Sequence, residues 1–306
     1  MGNILLYYKY VSIDQPEAIQ KWQLELCKNL GLTGRIIIAT EGINGTVAGS
    51  LEATNAYIDA MKEHPLFGGI DFKTAPGNEK YFPRIRVVVK DEIVRLDEDT
   101  QKVTVKDGGT HLTPEQVHEL LNNKPDDLVI LDTRNDYESR IGVFRDALTP
   151  HIKTFREFPE YINKNLDTFK DKKVLMYCTG GVRCERATAV LQQKGVAKEI
   201  YQVEGGIHRY VEKYPDGHFR GSNYVFDGRI AARINDDILS ECDLCGVPSD
   251  FYTNCLNAEC NKQYLSCQPC LEKTNETCSS ECFTLVQEKK VTVRVKLLRT
   301  HLEIKK

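Results

Sequence analysis

Apolar and polar positions follow two rhythms along the chain, and each rhythm predicts an element type. Ile4 to Val11 is a nearly continuous apolar run and reads as a strand. Pro16 to Asn29 carries apolar residues at helical spacing through Ile19, Trp22, Leu26 and Leu30, with Gly31 just past its end. Arg35 to Thr40 reads as a second strand. The stretch Glu41-Gly42-Ile43-Asn44-Gly45 then predicts a turn into Thr46-Val47-Ala48, because Asn-Gly is a strong turn pair. Leu51 to His64 is a second helix stopped by Pro65, and the β-branched run Ile85 to Val89 closes the pattern. The order β-α-β-β-α-β predicts an α+β domain of split βαβ type over residues 1–95, with its helices on one face of an antiparallel sheet.

After a polar, glycine-containing stretch around 96–110, the rhythm changes. Thr113-Pro114-Glu115-Gln116 has the Thr, Pro and Gln of a capped helix start. Leu128 to Asp132 and Val174 to Tyr177 are short apolar runs without alternation, the mark of strands buried on both faces, and Glu199 to Val203 reads as a further strand. Helical stretches lie between them, including Phe155 to Leu166 and Glu185 to Lys194, the latter ended by Gly195. Strands alternating with helices predict a doubly wound α/β domain over 111–214. In such a domain ligands bind beyond the carboxyl ends of the strands.

One loop stands at such an end: Cys178-Thr179-Gly180-Gly181-Val182-Arg183, between a strand and a helix. A tight strand–loop–helix turn aims backbone N–H groups and the helix dipole at whatever sits over it. Arg183 and Arg186 add positive charge, so the Cys178 thiol should ionise more readily than a free one. A plain buried cysteine would need neither the glycines nor the arginines, so Cys178 is the candidate nucleophile, with Arg183 beside it. Thr179, Gly180, Gly181, Val182 and Arg186 are candidate substrate contacts. Cys184 is either a resolving thiol or the first buried residue of the helix. Asp132, Arg134 and Glu138, at the end of the preceding strand, are expected to brace the loop. In the first domain, Arg35 and Asn44 flank a turn able to contact a ligand.

Composition narrows the picture. The 306 residues carry 41 basic and 44 acidic side chains, a net charge of −3, so a nucleic-acid partner is not announced by overall charge. A local basic stretch does exist at 289–306, with Lys289, Lys290, Arg294, Lys296, Arg299, Lys305 and Lys306 against Glu303. No apolar run is long enough to span a membrane and the N-terminus lacks signal-peptide character, so a cytoplasmic protein is expected. Eight of the eleven cysteines crowd into 242–282 as Cys242-x2-Cys245, Cys255-x4-Cys260, Cys267-x2-Cys270 and Cys278-x3-Cys282. In a reducing compartment this predicts metal rather than disulfides: two four-thiolate structural zinc sites in a module within 215–306. Spacing admits sequential or crossed pairing; the crossed one, with Cys242, Cys245, Cys267 and Cys270 together, is preferred. Between the modules, Phe219 to Arg233 mixes Tyr224, Phe226, Arg229 and Arg233, and reads as a domain bridge more readily than as an RNA-stacking segment.

Three segments, Leu131 to Glu138, the Cys178 loop, and Val203-Glu204-Gly205-Gly206-Ile207, resemble the three signatures of rhodanese domains in order and spacing. Tyr177 to Glu185, the segments Gly34-Arg35-Ile36 and Gly42-Ile43-Asn44-Gly45-Thr46, and the cysteine-rich end together resemble the bacterial tRNA uridine-34 hydroxylase family over almost the whole chain. That resemblance implies an acylphosphatase-like, ferredoxin-type α+β domain, then a rhodanese-like α/β domain, then a zinc module. It further implies oxygen-dependent 5-hydroxylation of the wobble uridine of tRNA, with the loop cysteine required. Molecular oxygen would be the co-substrate, and no flavin or haem site is legible. The rhodanese likeness by itself would imply instead a persulfide-carrying sulfurtransferase. A phosphatase is disfavoured, since only four residues separate Cys178 from Arg183 where Cys-dependent phosphatases have five. A non-catalytic binding module leaves the cysteine and its glycines without a purpose.

Overall fold

The computed structural model describes residues 2–96 and 103–294. The N-terminal unit runs β1 (Gly2–Tyr10), α1 (Pro16–Asn29), β2 (Thr33–Ala39), β3 (Gly42–Ser50), α2 (Leu51–Glu63), β4 (Lys73–Gly77) and β5 (Ile85–Val89). Its sheet order is β4-β1-β3-β2-β5, antiparallel throughout except for the parallel β2–β5 pair. The helical spacing predicted α1 with the bounds observed. The closing strand of the split βαβ unit, however, is Lys73–Gly77, which pairs with β1. Ile85–Val89 is instead a fifth strand added at the opposite edge. β4 contains Lys73, Pro76 and Gly77 and has no β-branched run, so only its pairing with β1 reveals it.

The predicted turn at Glu41–Gly45 shifts as well. The reversal is Thr40–Glu41, and Asn44-Gly45 lies inside β3 opposite Tyr8 and Tyr7. Gly45 is there for space rather than for turning: a Cβ on it would meet the Tyr7 ring at 2.4 Å. One face of the sheet packs α1 and α2 over Leu5, Tyr7, Ile36, Ile38, Ile43 and Val47. The other face, carrying Leu6, Tyr8 and Tyr10, turns toward the rest of the molecule.

The central unit comprises β6 (Thr110–Leu112), α3 (Pro114–Asn122), β7 (Leu128–Asp132), α4 (Asp136–Ser139), β8 (Gly142–Phe144), α5 (Phe158–Lys164), α6 (Leu166–Phe169), β9 (Lys173–Tyr177), α7 (Val182–Lys194), β10 (Glu199–Val203) and α8 (Gly206–Lys213). Its sheet is all parallel in the order β6-β10-β9-β7. Val174 and Met176 of β9 pack toward α5 and α7, while Leu175 and Tyr177 face Val117, Ile207 and Tyr210 of α3 and α8. Both faces are thus covered, as continuous apolar strands require. The capping box of Thr113 and Gln116 forms at the start of α3, as its sequence predicts. Leu96 and Val103 both bury in the same core as Val174.

The chain continues through β11 (Phe219–Tyr224) and β12 (Ala231–Arg233), which form a three-stranded sheet with β8. A hairpin of β13 (Tyr252–Asn254) and β14 (Gln263–Leu265) and two helices, α9 (Gln268–Thr274) and α10 (Ser280–Gln287), carry the cysteine cluster. In the basic stretch Arg294 donates to the Cys255 carbonyl, while Lys296, Arg299, Lys305 and Lys306 lie outside the described residues. No helix among the described residues is long and apolar enough to cross a membrane.

Candidate active site

β9 is an inner strand of the parallel sheet, and Cys178 is the first residue past its carboxyl end. The helix that follows begins at Val182, three residues earlier than its apolar spacing predicts, so the loop proper is only Thr179-Gly180-Gly181. The first helical N–H groups therefore point at the sulfur. The N–H of Gly181 donates to Cys178 Sγ at 3.1 Å, and those of Arg183 and Cys184 do the same. Burial pushes the Cys178 thiol up, but the Cys184 thiol hydrogen bond, the Arg183 charge and these N–H groups outweigh it. The net effect holds Cys178 well below an ordinary thiol, and Cys184 is driven up. Cys178 is the thiolate of the pair, and Cys184, hydrogen-bonded also toward Thr133, is its buried donor.

The loop is held from beneath by α8. Ile207 N–H donates to the Cys178 carbonyl at 2.9 Å and His208 N–H to that of Thr179 at 3.1 Å. Gly206 makes this approach possible: its φ is +65°, and a Cβ there would lie 2.4 Å from the Cys178 carbonyl oxygen. The bracing residues divide between two buried ion pairs. Arg134 does not reach Glu138 but forks onto Asp132, both fully buried, and donates to the Gly142 carbonyl. Glu138 instead takes Arg183, whose Nη2 lies 2.7 Å from Oε2, and also the Thr179 hydroxyl at 3.2 Å. Arg183 thus sends its charge toward the sulfur while its guanidinium is clamped by Glu138 and packed against the Phe226 ring, 5.7 Å from the ring centroid.

The outer face of the N-terminal sheet closes over this loop. A Cβ on Gly180 would meet Leu6 at 3.0 Å, and one on Gly181 would meet the Tyr8 hydroxyl at 2.8 Å. Tyr8 donates to Glu185 at 2.9 Å, and Glu185 also receives His111 and Gln202 at 3.0 Å each. Tyr10 reaches the Val182 carbonyl. Arg186 is buried between two carboxylates of the N-terminal unit, 3.1 Å from Glu41 and 2.9 Å from Glu92. Cys178 has no exposed surface.

Asn44 lies on the same outer face and donates to the Ile93 carbonyl, holding the chain after β5. Arg35 is exposed on that face, beside Arg86 on β5. Leu6, Tyr8, Tyr10, Glu41 and Glu92 were not singled out from sequence. A signal was present: the run Ile4-Leu5-Leu6-Tyr7-Tyr8 is bulky at odd and even positions alike, which requires both faces of β1 to be covered.

The cysteines form two groups, Cys242, Cys245, Cys267, Cys270 and Cys255, Cys260, Cys278, Cys282, with all Sγ atoms in each group within 4.8 Å of one another. Pairing is therefore crossed. Tetrahedral zinc with bonds of about 2.3 Å sets sulfur–sulfur separations of about 3.8 Å. Cys245–Cys267 and Cys260–Cys278 are 3.6 Å apart and Cys278–Cys282 3.9 Å. These are far longer than a disulfide, and the donor set fits a metal ion.

Comparison with known proteins matches residues 2–93 to the UPF0176 acylphosphatase like domain, 113–213 to the Rhodanese-like domain and 220–283 to the Rhodanase C-terminal model. Among curated relatives, a tRNA uridine(34) hydroxylase of Corynebacterium urealyticum is 44% identical, covering 92% of this chain and 97% of its own. That of Corynebacterium jeikeium is 42% identical over 94% and 96%. That of an Arthrobacter species is 41% identical over 88% and 94%.

Proposed function

The chain belongs to the tRNA uridine(34) hydroxylase family, and on that premise we propose that it hydroxylates C5 of the wobble uridine of tRNA, with Cys178 engaging the base. The observation that carries this reading is the Cys178 sulfur, ionised beneath the first N–H groups of α7. A thiolate adds to C6 of uracil and pushes electron density to C5 and the C4 oxygen. C5 then takes an electrophilic oxygen atom, and loss of the C5 proton and of the thiolate restores the ring. With molecular oxygen, two electrons and two protons from a reductant carry the second oxygen atom to water. With a hydroperoxide, the O–O bond breaks heterolytically and an alcohol leaves. Thr179, Gly180, Gly181 and Val182 supply backbone groups around the base, and Arg183 favours the thiolate.

Arg35, exposed beside Arg86, suits contact with the RNA backbone. Arg186 and Asn44 serve by holding the N-terminal unit on the loop. The two four-cysteine groups bind structural zinc, which folds the C-terminal module and leaves no ligand position for chemistry. The enzyme acts where tRNA is, in the cytoplasm.

Nucleoside mass analysis of wobble-position tRNA tests this reading in cells lacking the gene and complemented with wild type or Cys178→Ser. 5-Hydroxyuridine derivatives should vanish in the deletion and return only with Cys178. The same N–H groups would also cradle the outer sulfur of a Cys178 persulfide. Persistence of the hydroxylated nucleoside with loss of a thiolated one would favour sulfur transfer and defeat the hydroxylase reading.

A further inference from the structure

Cys178 has no exposed surface, so no base reaches it unless the N-terminal sheet moves. Among the described residues no apolar cluster unites strands β1–β5 with the central unit. Domains that share no apolar core move relative to each other by default. Polar contacts hold this joint instead. Tyr8 bonds Glu185, Tyr10 bonds the Val182 carbonyl, and Arg209 of α8 bonds Asp71 and, at 3.0 Å, the Phe72 carbonyl. Arg186 of α7 meets Glu41 and Glu92.

The Arg186 contact is unlike the others. Its guanidinium is buried, yet only Nη1 meets the carboxylates, 3.1 Å from Glu41 and 2.9 Å from Glu92. Nε and Nη2 are buried without a hydrogen-bond partner among the described residues. That edge is a fork that matches two oxygens of a phosphate. The carboxylates, by contrast, do not depend on Arg186. Glu41 accepts the Ile93 N–H at 2.8 Å and Glu92 the Leu96 N–H at 3.0 Å, each through the oxygen that does not face Arg186. Two carboxylates against one cation also repel each other.

We infer that Glu41 and Glu92 stand where an RNA phosphate binds Arg186 in the open enzyme, and that an anticodon-loop phosphodiester displaces them as the N-terminal sheet leaves the Cys178 loop. The inference rests on the hydroxylase reading and adds how RNA gains the sulfur. The phosphodiester takes the Nε–Nη2 fork, while the released carboxylates keep their N–H groups and regain water. Binding of substrate and uncovering of Cys178 are then one event. In the free enzyme only the open fraction binds RNA, so apparent affinity and Cys178 reactivity both scale with that fraction.

The test uses the full-length zinc-loaded protein and an anticodon stem-loop RNA containing U34. Fluorescence anisotropy gives Kd, and iodoacetamide labelling of Cys178 without RNA gives access to the sulfur. Glu41→Gln combined with Glu92→Gln should speed labelling and tighten Kd together, by about 5-fold or more, because a minor open state is about 0.1–10% populated. Glu41→Gln alone should move both in the same direction by less. Adding Arg186→Gln to the double variant removes the phosphate contact with no clamp left to lose. Labelling should stay fast, Kd should weaken about 10-fold or more, and the slope of log K against log salt should fall by about 0.7. Arg186→Lys in that background keeps the charge without the fork and should fall between. A Kd in the double variant equal to or weaker than wild type overturns the inference. So does a triple variant that binds as tightly as the double. Both results leave the hydroxylase reading standing; absence of 5-hydroxyuridine with wild type in complemented cells defeats that reading itself.

Discussion

The hydroxyl of Tyr8, on the N-terminal sheet, donates a 2.9 Å hydrogen bond to the carboxylate of Glu185, on the helix that activates Cys178. The covering of the sulfur is thus tied to the element that charges it. For any base to reach Cys178, Leu6 and Tyr8 must withdraw, and the polar contacts around them set how readily that happens.

Tyr8→Phe removes one partner from a carboxylate that keeps His111 and Gln202. A hydrogen bond to a charged group contributes about 1.5 kcal/mol at the lower end of its range. The variant should melt a few degrees lower, and Cys178 should be alkylated by iodoacetamide several-fold faster, followed by mass spectrometry of the tryptic peptide. An unchanged labelling rate would mean that Tyr8 does not gate the site.

Arg186 is a structural cation rather than a free one. Its loss would leave Glu41 and Glu92 facing each other without compensation, and breaking a buried pair costs about 3–5 kcal/mol. Arg186→Gln should therefore lower stability in urea melts far more than Arg35→Gln does. Burial raises the Glu41 pKa against the pull of the Ile93 N–H and Arg186, so Glu41→Gln should restore part of the loss. Additive losses in the double variant would refute a coupled node.

The direction of the Cys178 shift fixes its pH behaviour. A lowered pKa means that the deprotonated form persists through neutral pH and is lost only on acidification well below the free-thiol value of about 8.5. The 240 nm thiolate absorbance of wild type minus Cys178→Ser should be present at pH 7 and fall at lower pH. A difference spectrum that appears only above pH 8 would contradict the N–H arrangement at the loop.

Crossed cysteine pairing has a counting consequence. Cys245→Ser and Cys267→Ser should each release one metal ion per chain, and the double variant still only one. Cys245→Ser with Cys260→Ser should release two. Inductively coupled plasma mass spectrometry of the purified proteins distinguishes this from sequential pairing, in which Cys245 and Cys260 would share a site. Chelation should unfold the cysteine-rich module, because too little apolar surface surrounds the sulfurs to hold it.

Much of this architecture is local in origin and so legible along the chain. The α1 periodicity, the capping box of Thr113, the uninterrupted β7 and β9 runs and the cysteine doublets each specify an element through near neighbours. The Cys178 loop belongs with them: glycines between a strand and a helix dictate where N–H groups point, whatever else the protein does. What the sequence left open depends on distant pairing. β4, with a lysine, a proline and a glycine, is a strand only because β1 offers it an edge. Gly45 looks like a turn residue until the Tyr7 ring occupies the space of its missing side chain. Glu138 reaches Arg183 rather than Arg134 because α4 and α7 converge across the sheet end. Two domains meeting face to face bury Arg186 between Glu41 and Glu92 and seat Tyr8 over Gly181. No spacing rule along one chain encodes which two faces will meet, and that contact decides who can reach the sulfur.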